Sequence, residues 1–173
     1  MRKAVMPFVL SVGLIAVWAV PAEAASTRDE YIAQVDPICQ SFVGPEGAAG
    51  TAFLNNLKRL GRVSKSSVKS GNFKPFIRQT RRTARSLNGV AQIDLSLNDQ
   101  IAAVSPPPAD AGLIHSWLDG RRQVDGLLTS AASALAQFKF RLFLTRFRQV
   151  PAVNDAANRP VSGFGFQVCG VVI

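Results

Sequence analysis

His115 is the chain's one histidine, and Ser116 and Asp119 stand beside it in HSWLD. Serine, histidine and aspartate are the residue types of acyl-transfer hydrolysis. There the imidazole takes the hydroxyl proton and the carboxylate orients the ring. On a helix Asp119 lies one turn from His115 and can hold it. Adjacent helical residues point about 100° apart, so Ser116 does not reach the ring. The group reads as a surface ion pair or hydrogen bond. A hydrolase would need a cleft that gathers Asp110, His115, Asp119 and Asp125. No G-x-S-x-G, phosphate loop, HExxH or paired catalytic carboxylate occurs. The chain is therefore read as non-enzymatic and without a cofactor.

Cysteine is the next reactive residue type. There are two, Cys39 and Cys169, with no CxxC, and both methionines, Met1 and Met6, lie at the N-terminus. That is a poor metal-ligand set, and no metal site is expected. The first residues, MRKAVMPFVLSVGLIAVWAVPAEAAS, explain the pair better. Arg2 and Lys3 precede an apolar run, and Ala22-Glu23-Ala24 is an A-x-A cleavage site. Residues 1–24 thus read as a secretory signal peptide, leaving a single domain over 25–173. If uncleaved, the same stretch would be an N-terminal membrane anchor, although its apolar run falls short of a bilayer span. Two cysteines in an exported chain imply one disulfide, Cys39–Cys169.

Charge supplies the third candidate. The chain has 20 Lys+Arg and 11 Asp+Glu. Without Arg2, Lys3 and Glu23, the mature chain carries 18 and 10, a net charge of +8. From Gly47 to Ile93 there is no acid, while ten basic residues fall within 58–85. Lys74, Arg78, Arg81, Arg82 and Arg85 share one side of a helix, turned away from an apolar stripe of Phe73, Ile77, Thr80 and Ala84. Such a face either keeps the protein in solution or binds an anion. Arginine's planar fork suits phosphate. Anionic lipid or cell-wall polymer fits an exported chain better than nucleic acid, since no interleaved aromatics offer bases a stacking platform. Whether a protein partner exists is not encoded in these features.

The segment FKFRLFLTRFRQV, 138–150, is the fourth. As a helix it shows an apolar face with Phe140, Phe143 and Phe147, flanked by Lys139, Arg141, Arg146 and Arg148. That pattern suits a helix lying in a membrane interface with Arg146 and Arg148 snorkelling. The plainer reading of the same pattern is core packing with exposed basic flanks.

The elements that must carry these residues read as helices throughout. Thr27-Arg-Asp-Glu30 fits a capping box, opening a helix with Tyr31, Val35, Ile38 and Phe42 on one stripe and a kink or restart at Pro37. GPEG at 44–47 reads as a turn. A second helix is expected over about 48–70 (Phe53, Leu57, Leu60, Ser64, Val68). A third follows over about 73–104 (Phe73, Ile77, Thr80, Ala84, Leu87, Ala91, Leu95, Ala102), ended by Ser105-Pro-Pro-Pro108. The fourth covers about 109–137, with Leu113, Ile114, Trp117, Val124, Leu128, Ala131 and Leu135 inside. Residues 138–150 add a fifth, and Pro151 and Pro160 bracket a short, weaker one. GFGFQVCG, 163–170, has no regular pattern. Gly163 and Gly165 would let it bend, Phe164 and Phe166 would plug the bundle end, and Cys169 would meet Cys39. The fold class is all-α: an antiparallel bundle of four to five helices with an irregular C-terminal tail pinned by a disulfide.

Three short motifs carry a resemblance: Tyr31 with Asp36-Pro37-Ile38-Cys39, Pro107-Pro108-Ala109-Asp110 with Trp117-Leu118, and Gly165-Phe166-Gln167-Val168-Cys169-Gly170. With them the chain resembles a loose group of uncharacterised exported helical proteins common in actinobacteria. The resemblance spans nearly the whole mature chain and implies the bundle and the disulfide. The phenylalanine-rich basic stretch at 138–150 departs from the plainer, alanine-rich helix of that group.

The function expected from these readings is a structural or binding role at the cell envelope. The alternative is a membrane- or polyanion-binding protein using the 58–85 face and the 138–150 segment. Intact-mass measurement of the exported protein without reductant should give a chain starting at Ala25 and no alkylatable thiol. Two alkylatable thiols would remove the staple.

Overall fold

The computed structural model describes residues 27–170. The signal peptide read at 1–24 lies outside them. Four helices follow in order: α1 Arg28–Ser70, α2 Lys74–Ala102, α3 Ala111–Ala136 and α4 Phe140–Asn158, with a 3₁₀ turn at Arg159–Val161. No strand occurs among the described residues. Short connections make successive helices antiparallel, and each packs on the next: α1 on α2, α2 on α3, α3 on α4. Large side chains reach from α4 to α1, where the Phe53 and Phe147 rings are 5.5 Å apart. The molecule is an antiparallel four-helix bundle.

The capping box forms as the sequence implies. Glu30 N–H donates to Thr27 Oγ1 at 3.3 Å, and Thr27 N–H donates to Glu30 Oε2 at 3.1 Å. The turn expected at GPEG does not form. α1 runs on for 43 residues through Pro37 and Pro45, about 65 Å at the helical rise. Each proline removes a hydrogen bond to the carbonyl four residues earlier, that of Ala33 or Ser41. Both of those residues are exposed, as are the prolines, so water can take the freed carbonyls. Tyr31, Val35 and Cys39 before the prolines, and Phe53 and Leu60 after them, are all buried. One continuous rod seats both groups, and that tertiary gain overrides local propensity. α4 likewise passes through Pro151, so the short helix expected after it is α4's own last turns.

The stripe expected on α2 is buried only in its middle. Thr80, Ala84, Leu87 and Ala91 are buried, whereas Phe73 is 51% and Ile77 39% exposed. α3 ends at Ala136 and α4 starts at Phe140, so the first turn of α2 lies beyond their cover, with only Phe76 touching Phe140. Past Ala91 the inward positions are Leu97, Asn98 and Ile101 rather than Leu95 and Ala102. On α1 the exposed Val68 and the buried Ser67 likewise exchange the roles that a strict 3.6-residue count assigns them.

The core divides in two. One cluster joins Tyr31, Val35, Ile101, Ile114, Trp117 and Phe164. The other joins Phe53, Leu60, Leu87, Leu128, Leu135 and Phe143.

The tail closes the first cluster. Cys39 and Cys169 are bonded, their Cα atoms 5.5 Å apart and 130 residues apart in sequence. Phe164 meets Tyr31 edge-on and stacks on Phe166, which lies 5.3 Å from the Trp117 ring. Gly165 takes φ 108°, where L side chains are strained, and a Cβ there would stand 3.1 Å from Ile32 Cδ1. Gly163 needs no such freedom; its backbone is ordinary and its surroundings open. A second anchor comes from Asp36. Its carboxylate accepts the backbone N–H groups of Gln167, Val168 and Cys169 at 2.8, 3.2 and 3.1 Å.

The tail is thus tied twice, and the two ties can be separated. Closing a loop of this length contributes roughly 5 kcal/mol in the chain-entropy model, and often less in practice. Cys169→Ser should lower the melting temperature by about 10 °C, at about 2–4 °C per kcal/mol for a domain of this size. Asp36→Ala, with the bridge intact, should lower it by about 5 °C, since bonds to a charged acceptor contribute about 1.5–3 kcal/mol. An unchanged melting temperature in Asp36→Ala would leave the bridge as the tail's sole anchor.

Candidate functional sites: a basic pole and a charged layer

Charge is segregated along the bundle axis. The halves of α1 and α2 nearest their hairpin (47–93), with the end of α3 and most of α4 (126–154), hold fourteen Lys and Arg and no acid. The remainder of 25–173 holds ten acids and four basic residues. Antiparallel packing brings the first set to one end of the molecule. All fourteen basic residues there are exposed. The ion pairs found among the described residues, Arg28–Asp110, Arg121–Asp94 and Arg122–Asp119, all lie in the other half. Lys74, Arg78, Arg81, Arg82 and Arg85 all project into solvent from α2, with Lys58, Arg59, Arg62, Lys65 and Lys69 on α1 beside them.

Apolar side chains are exposed at the same pole. Val68 is 71% and Phe73 51% exposed, at the hairpin joining α1 and α2. In the 138–150 segment the phenylalanines turn inward. Phe143 is buried, and Phe140 and Phe147 are half-buried, 5.7 Å from Phe76 and 5.5 Å from Phe53. Leu142 and Leu144 are that segment's outward apolar residues, among the exposed Arg141, Arg146 and Arg148.

Of the residues considered for a hydrolytic cleft, His115 and Asp119 line one recess with Arg122, and Asp110 and Asp125 do not join them. Asp110 holds Arg28 through two contacts, at 2.6 and 3.1 Å. Asp119 pairs with Arg122 at 3.1 Å, next to the exposed His115. Asp125 is buried, about 22 Å along α3 from Asp110 at the helical rise.

Asp125 belongs instead to a charged layer between the two core clusters. Arg121 donates from Nε to Asn98 Oδ1 at 2.5 Å and from its Nη2 to Asp94 Oδ1 at 2.8 Å. Asn98 Nδ2 donates to Asp125 Oδ2 at 2.6 Å. Glu46, on α1, lies within hydrogen-bonding reach of Asp94. Two carboxylates share such a bond only when one carries a proton. Asp125 Oδ1 and Glu46 Oε1 are buried without a partner. Burial, then the neighbouring Asp94, raises the Glu46 pKa. Burial also raises that of Asp94, against the pull of Arg121. Asp125, 2% exposed, is pushed up to about 6, first by burial and then by Asp94.

This layer borders a cavity of about 420 Å³. Glu46, Asp94 and Arg121 supply its charged wall, Asn154, Asp155 and Asn158 its α4 side, and Val90, Val124, Leu128 and the Cys39–Cys169 bridge its apolar surface. Of these groups, sequence reasoning missed Glu46, Asp94, Asn98 and Arg121. The signal was their register: Asp94 and Asn98, and Arg121 and Asp125, are i,i+4 pairs set into the inward stripes of α2 and α3.

Asp125 makes stability fall with rising pH. Its folded-state pKa lies above its ordinary value near 3.8, so the folded state binds the proton more tightly than the unfolded chain. The resulting stability is complete below about pH 4 and is lost as pH rises through about 6. Chemical denaturation at pH 5 and pH 7.5 should show the loss. Asp125→Asn should recover on the order of 2–3 kcal/mol at pH 7.5 and flatten the profile. A stability that rises over this interval, or that the variant leaves unchanged, would contradict the assignment. Compared with protein-family models, curated proteins and solved structures, the chain finds no match, so the functional reading rests on these two sites themselves.

Proposed function

We propose that this chain is an exported, non-enzymatic binding protein of the cell envelope, and that its basic pole docks on an anionic membrane surface. One observation carries the reading: fourteen exposed basic residues without an acid share one end of the bundle with exposed Val68, Phe73, Leu142 and Leu144. A solubilising surface requires charge but no apolar side chains among it. A bilayer interface takes both, the basic groups at the headgroups and the apolar ones just beneath. The disulfide and the A-x-A leader support an oxidising compartment outside the cytoplasm. No helix among the described residues is long and apolar enough to cross a membrane. A phosphodiester wall polymer is the second reading, favoured by arginine at 78, 81, 82 and 85.

Flotation with phosphatidylglycerol vesicles separates these readings. Binding should weaken steeply with salt, as exposed charges are screened over about 8 Å at physiological ionic strength. Each basic residue near an anionic surface contributes about 1 kcal/mol. Changing Arg78, Arg81, Arg82 and Arg85 to Gln should therefore cost at least about tenfold, with an unchanged melting temperature. Val68→Ser with Phe73→Ser should weaken vesicle binding and leave polymer binding intact. If the parent binds neither vesicles nor polymer, the pole is a solubilising surface and the reading fails.

A further inference from the structure

We propose that the cavity beneath the charged layer is a binding site for a small organic cation, an ammonium group carried on an apolar body. Charge balance points there first. Glu46 from α1, Asp94 from α2 and Asp125 from α3 face a single guanidinium, Arg121, which is already bonded to Asp94 and Asn98. α4 adds Asp155 on the cavity wall and no basic residue. In a chain of net charge +9, this recess gathers carboxylates.

On the cavity wall, Glu46 keeps a buried oxygen, Oε1, with nothing to accept from. A buried acceptor left unpaired is destabilising, the more so when charged. A ligand that donates hydrogen bonds and carries positive charge relieves that cost, whereas an anion would add to it. The donors do not converge: no group of three His, Cys, Asp or Glu able to hold a metal occurs among the described residues, and Arg121 stands among the carboxylates. An ammonium, with N–H groups directed to separate oxygens, matches that spread. The opposite wall is apolar, with Val90, Leu97, Val124, Leu128 and Val150. A volume of about 420 Å³ lies in the range of small-molecule sites.

Burial raises the proton affinity of Glu46 and Asp94, so protons compete with an entering ammonium for these carboxylates. Affinity should therefore increase from pH 5 to pH 8. Facing the pair are Arg121 and Asp125 from α3 and Asp155 from α4; Asp99 on α2 acts on Asp125.

Calorimetric titration of the exported, disulfide-bonded protein with n-hexylamine, n-hexanol and hexanoate tests this. Hexylamine should bind at pH 8 at least about tenfold more tightly than hexanol, bind more weakly at pH 5, and release protons. Hexanoate should not bind. Glu46→Gln and Asp94→Asn, which keep shape and remove charge, should each lower hexylamine affinity at least about tenfold. Should either variant fold poorly, Val150→Phe fills the cavity from its apolar side and should abolish binding with the charged layer intact. The glutamine variant of the basic pole should bind hexylamine as the parent does, which keeps this test independent of the membrane reading. Equal binding of hexanol and hexylamine, unaltered affinity in Glu46→Gln and Asp94→Asn, or no heat from hexylamine at about 10 mM would each overturn the proposal.

Discussion

A guanidinium in the middle of an apolar bundle sets the terms for the whole structure. Arg121 sits between two core clusters, its side chain only 15% exposed, and is met by acceptors from α2, since a largely desolvated charge left without its partner is strongly destabilising. Its partners, Asp94 and Asn98 on α2, are one turn apart. Sliding α2 against α3 by a turn would strand the charge. Asn98 then hands the constraint back to α3 through Asp125, and Asp94 passes it to Glu46 on α1. Leucine and alanine contacts tolerate slippage, whereas this chain of polar contacts has one satisfactory register. It supports specificity more than stability, because the layer holds more negative charge than Arg121 offsets.

The same layer is where the electrostatic character of the molecule changes. Above it every exposed charge is basic, and below it acids predominate. Like charges on α1 and α2 repel at short range, at a small cost per pair. That cost is spread over the hairpin, where Gln79 and Thr83 bond to Asn56 across the helix seam. The opposite end is held by a covalent bond, a bidentate Arg28–Asp110 pair and the Asp36 anchor. Among the described residues the basic pole has no covalent tie and no ion pair.

Much of this could be read from the residues. The capping box, the stripes of α3 and the prolines ending α2 are local signals that act locally, and the pairing of the two cysteines is a compositional one, since only one pair exists. GPEG misled because proline and glycine report backbone preference. The length of α1 is decided by Phe53 and Leu60 needing the same neighbours as Tyr31 and Val35. Phe73 and Ile77 fit the stripe of α2, yet burial also depends on where α3 stops. The cavity was the least legible element. Asp94 becomes part of a buried layer only because α1 continues through Pro45 and carries Glu46 to it. Once that helix is broken on paper, no charged layer can be drawn.

The bond between Cys39 and Cys169 has a consequence for how the chain is made. Its two thiols are separated by nearly the whole described length, so their encounter is among the least local contacts in the fold, and such contacts are slow to form. With only two cysteines there is one bond that a single chain can make. An isomerase would have no mispaired intermediate to correct within one molecule. The remaining error is a bond between two chains during the interval before the tail docks. Faithful oxidation therefore depends on dilution and on prompt assembly of the helices, and a covalent dimer would be the mark of chains crowded before their bundles had closed.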